Sequence, residues 1–275
     1  MKKFTVTENS TLKDFTDCTY PQGSFFFNAL LKKGDIRVNG VKQRANCAVA
    51  AGDEITFYTT QAQEEKPSHK VVYEDENVYV ADKLSGVSSE ALFCELAERG
   101  AGYPVHRLDR NTSGLIVLAK NEIAQVELEG AFKEREVEKI YLCVAADNFK
   151  ADKAVLTAYL KKDEKCKFVR IYPAPNADRV KIVTEYEVLE RRGGLALVKI
   201  TLHTGKTHQI RAHLSYIGCP VLGDEKYGDF ALNKKYKVTR QLLTAYRLKF
   251  NLSGGIAYLN DKQFTSGFYP QFPEK

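Results

Sequence analysis

Short apolar runs broken by polar turns dominate the chain, and stretches with apolar residues at helical spacing lie between them. In the first sixty residues, 4–7 read as a strand, and Ser10 or Thr11 stands where it can cap a short helix around 12–15. Residues 24–33 are apolar at helical spacing and end in Lys32, Lys33 and Gly34, a helix stop. Asn39-Gly40 separates two short runs, 35–38 and 41–43, and an Asn-Gly pair in that setting signals a hairpin. A turn at 51–54 leads into a strand at 55–58. Residues 60–70, TQAQEEKPSHK, are polar with a single proline and have linker composition. The pattern predicts a small α/β module at 1–60, a linker at 61–69 and a larger domain at 70–275.

The larger part reads as strands at 71–73, 78–81, 114–119, 140–145, 155–160, 168–172, 180–189 and 196–202. The run 114–119 is almost wholly apolar, as a buried strand is. Helices are expected at 92–98, at 122–134 behind the cap Asn121, and at 207–218, ending in Gly218-Cys219-Pro220. Segment 241–250 fits neither period decisively. The fold class is α+β: a large, mainly antiparallel (mixed) sheet with flanking helices, preceded by the small module.

Composition narrows the field only modestly. With 275 residues, 44% hydrophobic and 28% charged, the chain is an ordinary globular protein, neither disordered nor collagen-like. Lys plus Arg number 41 against 35 acidic residues, a net charge of +6 that permits a polyanionic partner without requiring one. Cysteines stand at 18, 47, 94, 143, 166 and 219, none in a CxxC pair, which argues against zinc-ribbon and thioredoxin motifs and fits a reducing compartment. The start, MKKFTVTENSTLKDF, has no apolar stretch of the kind a signal peptide needs. No apolar run approaches the roughly 20 residues that span a bilayer. A cytoplasmic monomer without a membrane anchor is the expectation.

Two tempting signals are weak. Gly205-Lys206-Thr207 matches the end of a phosphate-binding loop, but Ile200 occupies the position of the required first glycine. His203, His208 and His213 are spaced by five, so on one helix or strand they diverge and do not build a metal site. The informative segment is 106–120, HRLDRNTSGLIVLAK, a polar cluster running straight into the apolar strand. Asp, Asn, Ser and Gly there suit a plain turn. The cluster nevertheless carries more charge than a turn needs, and a carboxylate flanked by cations is held in its charged form and can act as a nucleophile. Asp109 is that carboxylate. In a second cluster, 201–214, Arg211 lies one step from the apolar face formed by Ile210, Leu214 and Ile217, as a snorkelling residue or a carboxylate's partner would. Arg211 is the best candidate to pair with Asp109.

These residues carry a resemblance. The chain resembles the RluA-type pseudouridine synthases, which isomerise uridine in structured RNA. Matching motifs run in the family's order: the strand 74–83 ending in Lys83; 106–120; Lys139-Ile140-Tyr141; 205–214, GKTHQIRAHL; then 218–224 and Tyr227-Gly228. Together they cover most of 70–250. The first sixty residues resemble the RNA-binding module named after ribosomal protein S-four, best over 30–55, where Lys32, Lys33, Arg37, Lys42 and Arg44 surround a Val-Asn-Gly hairpin. There are departures. Leu84 replaces a usual proline, Ser88-Ser89 replace a common Val-His, and Thr244 replaces a usual histidine.

The resemblance implies that Asp109 is the essential carboxylate, either attacking the sugar C1′ or removing the 2′ proton to give a glycal. It implies that Arg211 orients Asp109, that Ile210 packs on the uracil, and that Tyr141 stacks on the base and assists proton removal from C5. Arg107 would fill the space left by the flipped uridine, and His106 and Lys83 are expected to contact the substrate. The isomerisation needs no metal, nucleotide or other cofactor. The partner is RNA, ribosomal most readily and transfer RNA alternatively. The rival reading is a non-catalytic RNA-binding or ribosome-assembly protein on the same fold. A hydrolase using paired carboxylates is a third, but Glu64-Glu65 and Asp53-Glu54 lie in linker or turn positions.

Overall fold

The computed structural model describes residues 1–163 and 168–274, so Cys166 lies outside the described residues. The first part builds a four-stranded antiparallel sheet in the order Lys2–Thr5, Glu54–Phe57, Ile36–Val38, Val41–Gln43. Helices Leu12–Thr19 and Pro21–Lys33 pack on it around Leu12, Phe27, Leu30, Ile36, Ile55 and Phe57. Thr11 is the cap, its hydroxyl accepting from the Asp14 amide at 3.1 Å. The second helix begins earlier than the apolar pattern indicated, because Pro21 opens its first turn. Asn39 and Gly40 both take positive φ, 50° and 80°, as a two-residue hairpin turn requires.

The segment expected to be a linker is structured. Gln61–Glu64 forms one helical turn closed by a capping box between Thr60 and Gln63. Glu64 accepts from the Tyr20 hydroxyl, and the Lys66 ammonium sits 3.6 Å from the Phe25 ring centroid. His69 already belongs to the strand His69–Glu74.

The remainder is organised on an eleven-stranded sheet. Its main path runs Phe168–Tyr172, Lys153–Asp163, Val180–Arg192, Leu195–Leu202, Val137–Ala146, Leu243–Phe250, Ser113–Ala119, Val78–Lys83, His69–Glu74. Tyr103–Pro104 and Gln263–Thr265 pair alongside. One contact is parallel, Ser113 and Gly114 against Thr244 and Ala245, which makes the sheet mixed. The undecided segment 241–250 is therefore a central strand. Gly114 is required at that contact: its φ is 109°, and a Cβ there would lie 2.2 Å from the Ala245 carbonyl oxygen.

Helix Ser89–Ala97, capped by Ser88, covers one sheet face over Leu92, Leu96, Leu108, Tyr141 and Ile210. Helix Glu122–Glu134, capped by Asn121, covers the other over Val117, Leu128 and Leu248. The two parts of the chain touch beside the loop that carries Asp109. Arg110 pairs with Asp17 and donates to the Ser24 carbonyl at 2.9 Å, and Ser88 donates to the Asp17 carbonyl at 2.8 Å.

Candidate active site

Asp109 sits in the loop between Tyr103–Pro104 and Ser113–Ala119, and neighbouring polar groups hold that loop at nearly every residue. The Ser89 hydroxyl donates to the Leu108 carbonyl at 2.8 Å and accepts from its amide at 3.0 Å. Lys83, with no exposed surface, donates to the carbonyls of Arg110, Leu84 and Val87. Ser85 donates to the Asn111 carbonyl, and the Thr112 amide closes a turn on the Asp109 carbonyl at 3.0 Å. The backbone around Asp109 is thus fixed while its carboxylate keeps 24% of its surface exposed.

Arg211 reaches this carboxylate from the helix Gln209–Tyr216. Its Nη1 donates to Asp109 Oδ2 at 2.7 Å across 102 residues of sequence. Its other edge makes a two-pronged contact with Asp224, Nε to Oδ2 at 2.6 Å and Nη2 to Oδ1 at 2.9 Å. Asp224 is 1% exposed. Burial opposes its charge, yet Arg211 and the amides of Tyr227 and Lys226 hold the carboxyl below the usual range. Burial likewise opposes charge on Arg211, and the two carboxylates more than offset it, raising its pKa. The result is a rigid cation whose free edge points at Asp109.

The remaining walls are aromatic and apolar. Tyr141 is buried, and desolvation, reinforced by the Asp109 charge, pushes its phenol well above the ordinary value. In the free protein it is therefore a neutral ring suited to stacking and hydrogen bonding. A bulge between Ile140 and Tyr141, where the pairing skips Tyr246, sets that ring's position. Ile210 packs in the same core cluster as Tyr141 and Leu108. His208 lies 3.9 Å from Asp109 through its Nε2 and 2.9 Å from the Tyr227 hydroxyl through its Nδ1.

The family description "RNA pseudouridylate synthase" matches residues 60–216. A "Ribosomal large subunit pseudouridine synthase C" of Vibrio cholerae is 30% identical over 80% of this chain and 78% of its own length. The chain belongs to the RNA pseudouridylate synthase family. An "Uncharacterized RNA pseudouridine synthase" of Chlorobaculum parvum is 32% identical over 81% of this chain and 80% of its own. A solved structure titled "Human RNA Pseudouridylate Synthase Domain Containing 1" superposes with a TM-score of 0.63 at 24% identity, covering 74% of this chain and 85% of that one, a likeness of fold. The protein is thus an RNA pseudouridine synthase of the RluA type, an isomerase by family.

Within this synthase the structure brings Asp109, Arg211, Tyr141 and Ile210 together and sends two expected substrate contacts elsewhere. Lys83 spends its three ammonium hydrogens on backbone carbonyls, so it braces the Asp109 loop. His106 turns to the opposite side of the sheet, accepts from the Val117 amide at 2.9 Å and stacks on Phe132 with centroids 4.4 Å apart. Desolvation, helped by Lys139, pushes its imidazole down to about 3. Arg107 is exposed and pairs with Glu90 at 2.7 Å. The three evenly spaced histidines do not share one element: His203 follows the strand Leu195–Leu202 and meets Glu185, His208 precedes the helix Gln209–Tyr216 and meets Tyr227, and His213 lies within that helix and meets Thr184.

The departures from the family pattern have local reasons. Leu84 donates its amide to the Ser68 carbonyl at 2.9 Å, a bond proline cannot make. Ser88 and Ser89 cap a helix and pin Leu108. Thr244 is buried at the parallel contact, its hydroxyl 2.9 Å from that of Ser113. The sequence reading missed Asp224, His208 and Tyr227 as site residues, although 218–224 and Tyr227-Gly228 stood among the matching motifs. The usable signal was that a two-edged arginine needs a second carboxylate.

Proposed function

We propose that this synthase converts uridines of large-subunit ribosomal RNA to pseudouridine, with Asp109 as the essential carboxylate. The ribosomal assignment takes its support from the printed names of relatives such as that of Vibrio cholerae. The chemical assignment rests on one observation. Asp109 is the exposed end of a buried chain, Asp224–Arg211–Asp109, whose contacts are all between 2.6 and 2.9 Å. A non-catalytic RNA-binding protein has no use for a carboxylate aligned in this way.

The isomerisation cleaves the N1–C1′ bond of uridine, turns the uracil, and joins C5 to C1′; the C5 proton leaves to solvent and N1 takes up a proton, so the product has the atoms of the substrate. Asp109 Oδ1, not engaged by Arg211, is the atom that addresses the sugar. Tyr141 and Ile210 offer flat and apolar surface to the detached uracil. The target must first leave its stack, which costs a few kcal/mol, and exposed Arg107 is the residue to take its place.

The first sixty residues form an RNA-binding module of the type named after ribosomal protein S-four in this reading. Lys32, Lys33, Lys42 and Arg44 are exposed, Arg44 donates to the Lys32 carbonyl, and Arg37 lies directly across from Lys42 in the hairpin and over the Tyr58 ring. The Lys42 and Arg44 side chains come within 4 Å of the Cβ position of Gly34, which ends the helix carrying Lys32 and Lys33, so the five gather into a basic surface for phosphates. Mapping pseudouridines in ribosomal and transfer RNA from cells with and without the protein tests the proposal. Loss of sites in large-subunit RNA is the expected result, and an unchanged map there, or losses confined to transfer RNA, overturns the ribosomal assignment.

A further inference from the structure

His208 immediately precedes the helix Gln209–Tyr216 and takes a left-handed conformation, φ 53° and ψ 17°. Non-glycine residues hold that geometry where their surroundings over-determine it, often at functional sites. Here the anchor is the imidazole, whose Nδ1 is 2.9 Å from the Tyr227 hydroxyl and whose Nε2 faces Asp109 Oδ1 at 3.9 Å.

The hydrogen bonds assign the proton. The Val169 amide donates to the Tyr227 oxygen at 2.9 Å. The hydroxyl hydrogen then needs an acceptor, and among the described residues His208 Nδ1 is the one in range. A neutral imidazole accepting at Nδ1 carries its hydrogen on Nε2, the nitrogen turned toward Asp109. Desolvation pushes the imidazole down to about 4; Asp109 and Asp224 oppose the shift, Arg211 and Lys226 add to it, and the ring is neutral near pH 7.

We propose that His208, set in its Nε2–H tautomer by Tyr227, is a positioning residue that donates to Oδ1 of Asp109 and fixes the carboxylate for reaction at the target ribose. This rests on the reading of Asp109 as the essential carboxylate. Arg211 holds Oδ2 and His208 holds Oδ1, so the carboxylate cannot rotate about its Cβ–Cγ bond. One Oδ1 lone pair stays directed at the sugar. The present gap exceeds a hydrogen bond by about 1 Å, and such contacts tighten when a catalytic site closes on its substrate. A neutral donor suits the role, because a second cation on Asp109 would hold the carboxylate back from reaction.

The test uses the full chain with two readouts. Nitrogen-15 NMR of the histidines near pH 7 is expected to show His208 with its hydrogen on Nε2, a preference that Tyr227→Phe weakens. Single-turnover tritium release is measured on large-subunit ribosomal RNA transcribed with uridine labelled at C5. His208→Ala is expected to slow the maximal release rate about tenfold or more while the enzyme concentration that half-saturates release moves less than about threefold. His208→Gln, whose side-chain N–H can occupy the place of Nε2–H, restores most of the rate, and thermal melting confirms that the variants fold. An Nδ1–H tautomer in the wild type, or release by His208→Ala at the wild-type rate, overturns the proposal while the functional reading stands. A wild type that releases no tritium from ribosomal RNA overturns that reading instead, and the tautomer measurement still decides the geometry of His208.

Discussion

Replacing Arg211 by lysine keeps the charge and removes the fork. The guanidinium makes three contacts, at 2.6 and 2.9 Å to Asp224 and at 2.7 Å to Asp109. An ammonium is a point charge on a flexible stem and cannot reproduce this two-edged geometry. A hydrogen bond to a charged group contributes about 1.5–3 kcal/mol. If the bond to Asp109 is the one lost, and the loss is felt in the transition state, the reaction slows by about 10- to 160-fold. Asp224 is almost wholly buried, so weakening its partner costs stability as well, about 3 kcal/mol at the low end for a broken buried pair. Arg211→Lys is therefore expected to fail in both tritium release and urea unfolding. A variant with wild-type rate and midpoint refutes the clamp. One that is destabilised yet turns over at the wild-type rate refutes the link from clamp to chemistry.

Gly114→Ala places a Cβ against the Ala245 carbonyl at a φ of 109°, and thermal denaturation should show a loss of about 3 kcal/mol or more. Lys83→Met leaves the carbonyls of Leu84, Val87 and Arg110 without their buried donor, so about 3 kcal/mol of stability and most of the turnover should go; unaltered turnover would show that the Asp109 loop needs no brace. Burial pushes the imidazoles of His106 down to about 3 and of His208 and His213 to about 4. Unfolding returns each to about 6.5, so below that pH the unfolded chain binds protons that the folded chain refuses. Their contribution to stability is complete above pH 6.5 and falls by up to about 1.4 kcal/mol per pH unit per histidine toward pH 4. Urea midpoints at pH 7.5 and 5.5 check this, and His213→Gln should flatten the slope.

Much of the site was legible because its parts are local. HRLDRNTSG announced a charged loop at a strand mouth, and Arg211 announced itself by standing beside the apolar face of its helix. Their pairing across 102 residues is realised at 2.7 Å. What the pattern did not convey was direction. His106 and Asp109 are three residues apart in one loop, yet the first side chain turns to Phe132 and the second to Arg211. Lys83 reads as a substrate contact, and only the tertiary fold supplies the three carbonyls that occupy it. The helix expected from 207 begins at Gln209 because His208 is left-handed, a conformation that a glycine would have signalled and a histidine does not. Segment 241–250 lacked a clear period because a strand deep in the sheet faces core on both sides.

Asp109→Asn tests the central claim most directly. The amide keeps the shape of the side chain and removes the negative charge that Arg211 holds and that the proposed chemistry requires. In a single-turnover assay on large-subunit ribosomal RNA labelled at uracil C5, the wild type should release tritium. The variant should bind the same RNA, melt as a folded protein and release none. Tritium release by Asp109→Asn at the wild-type rate would contradict the account.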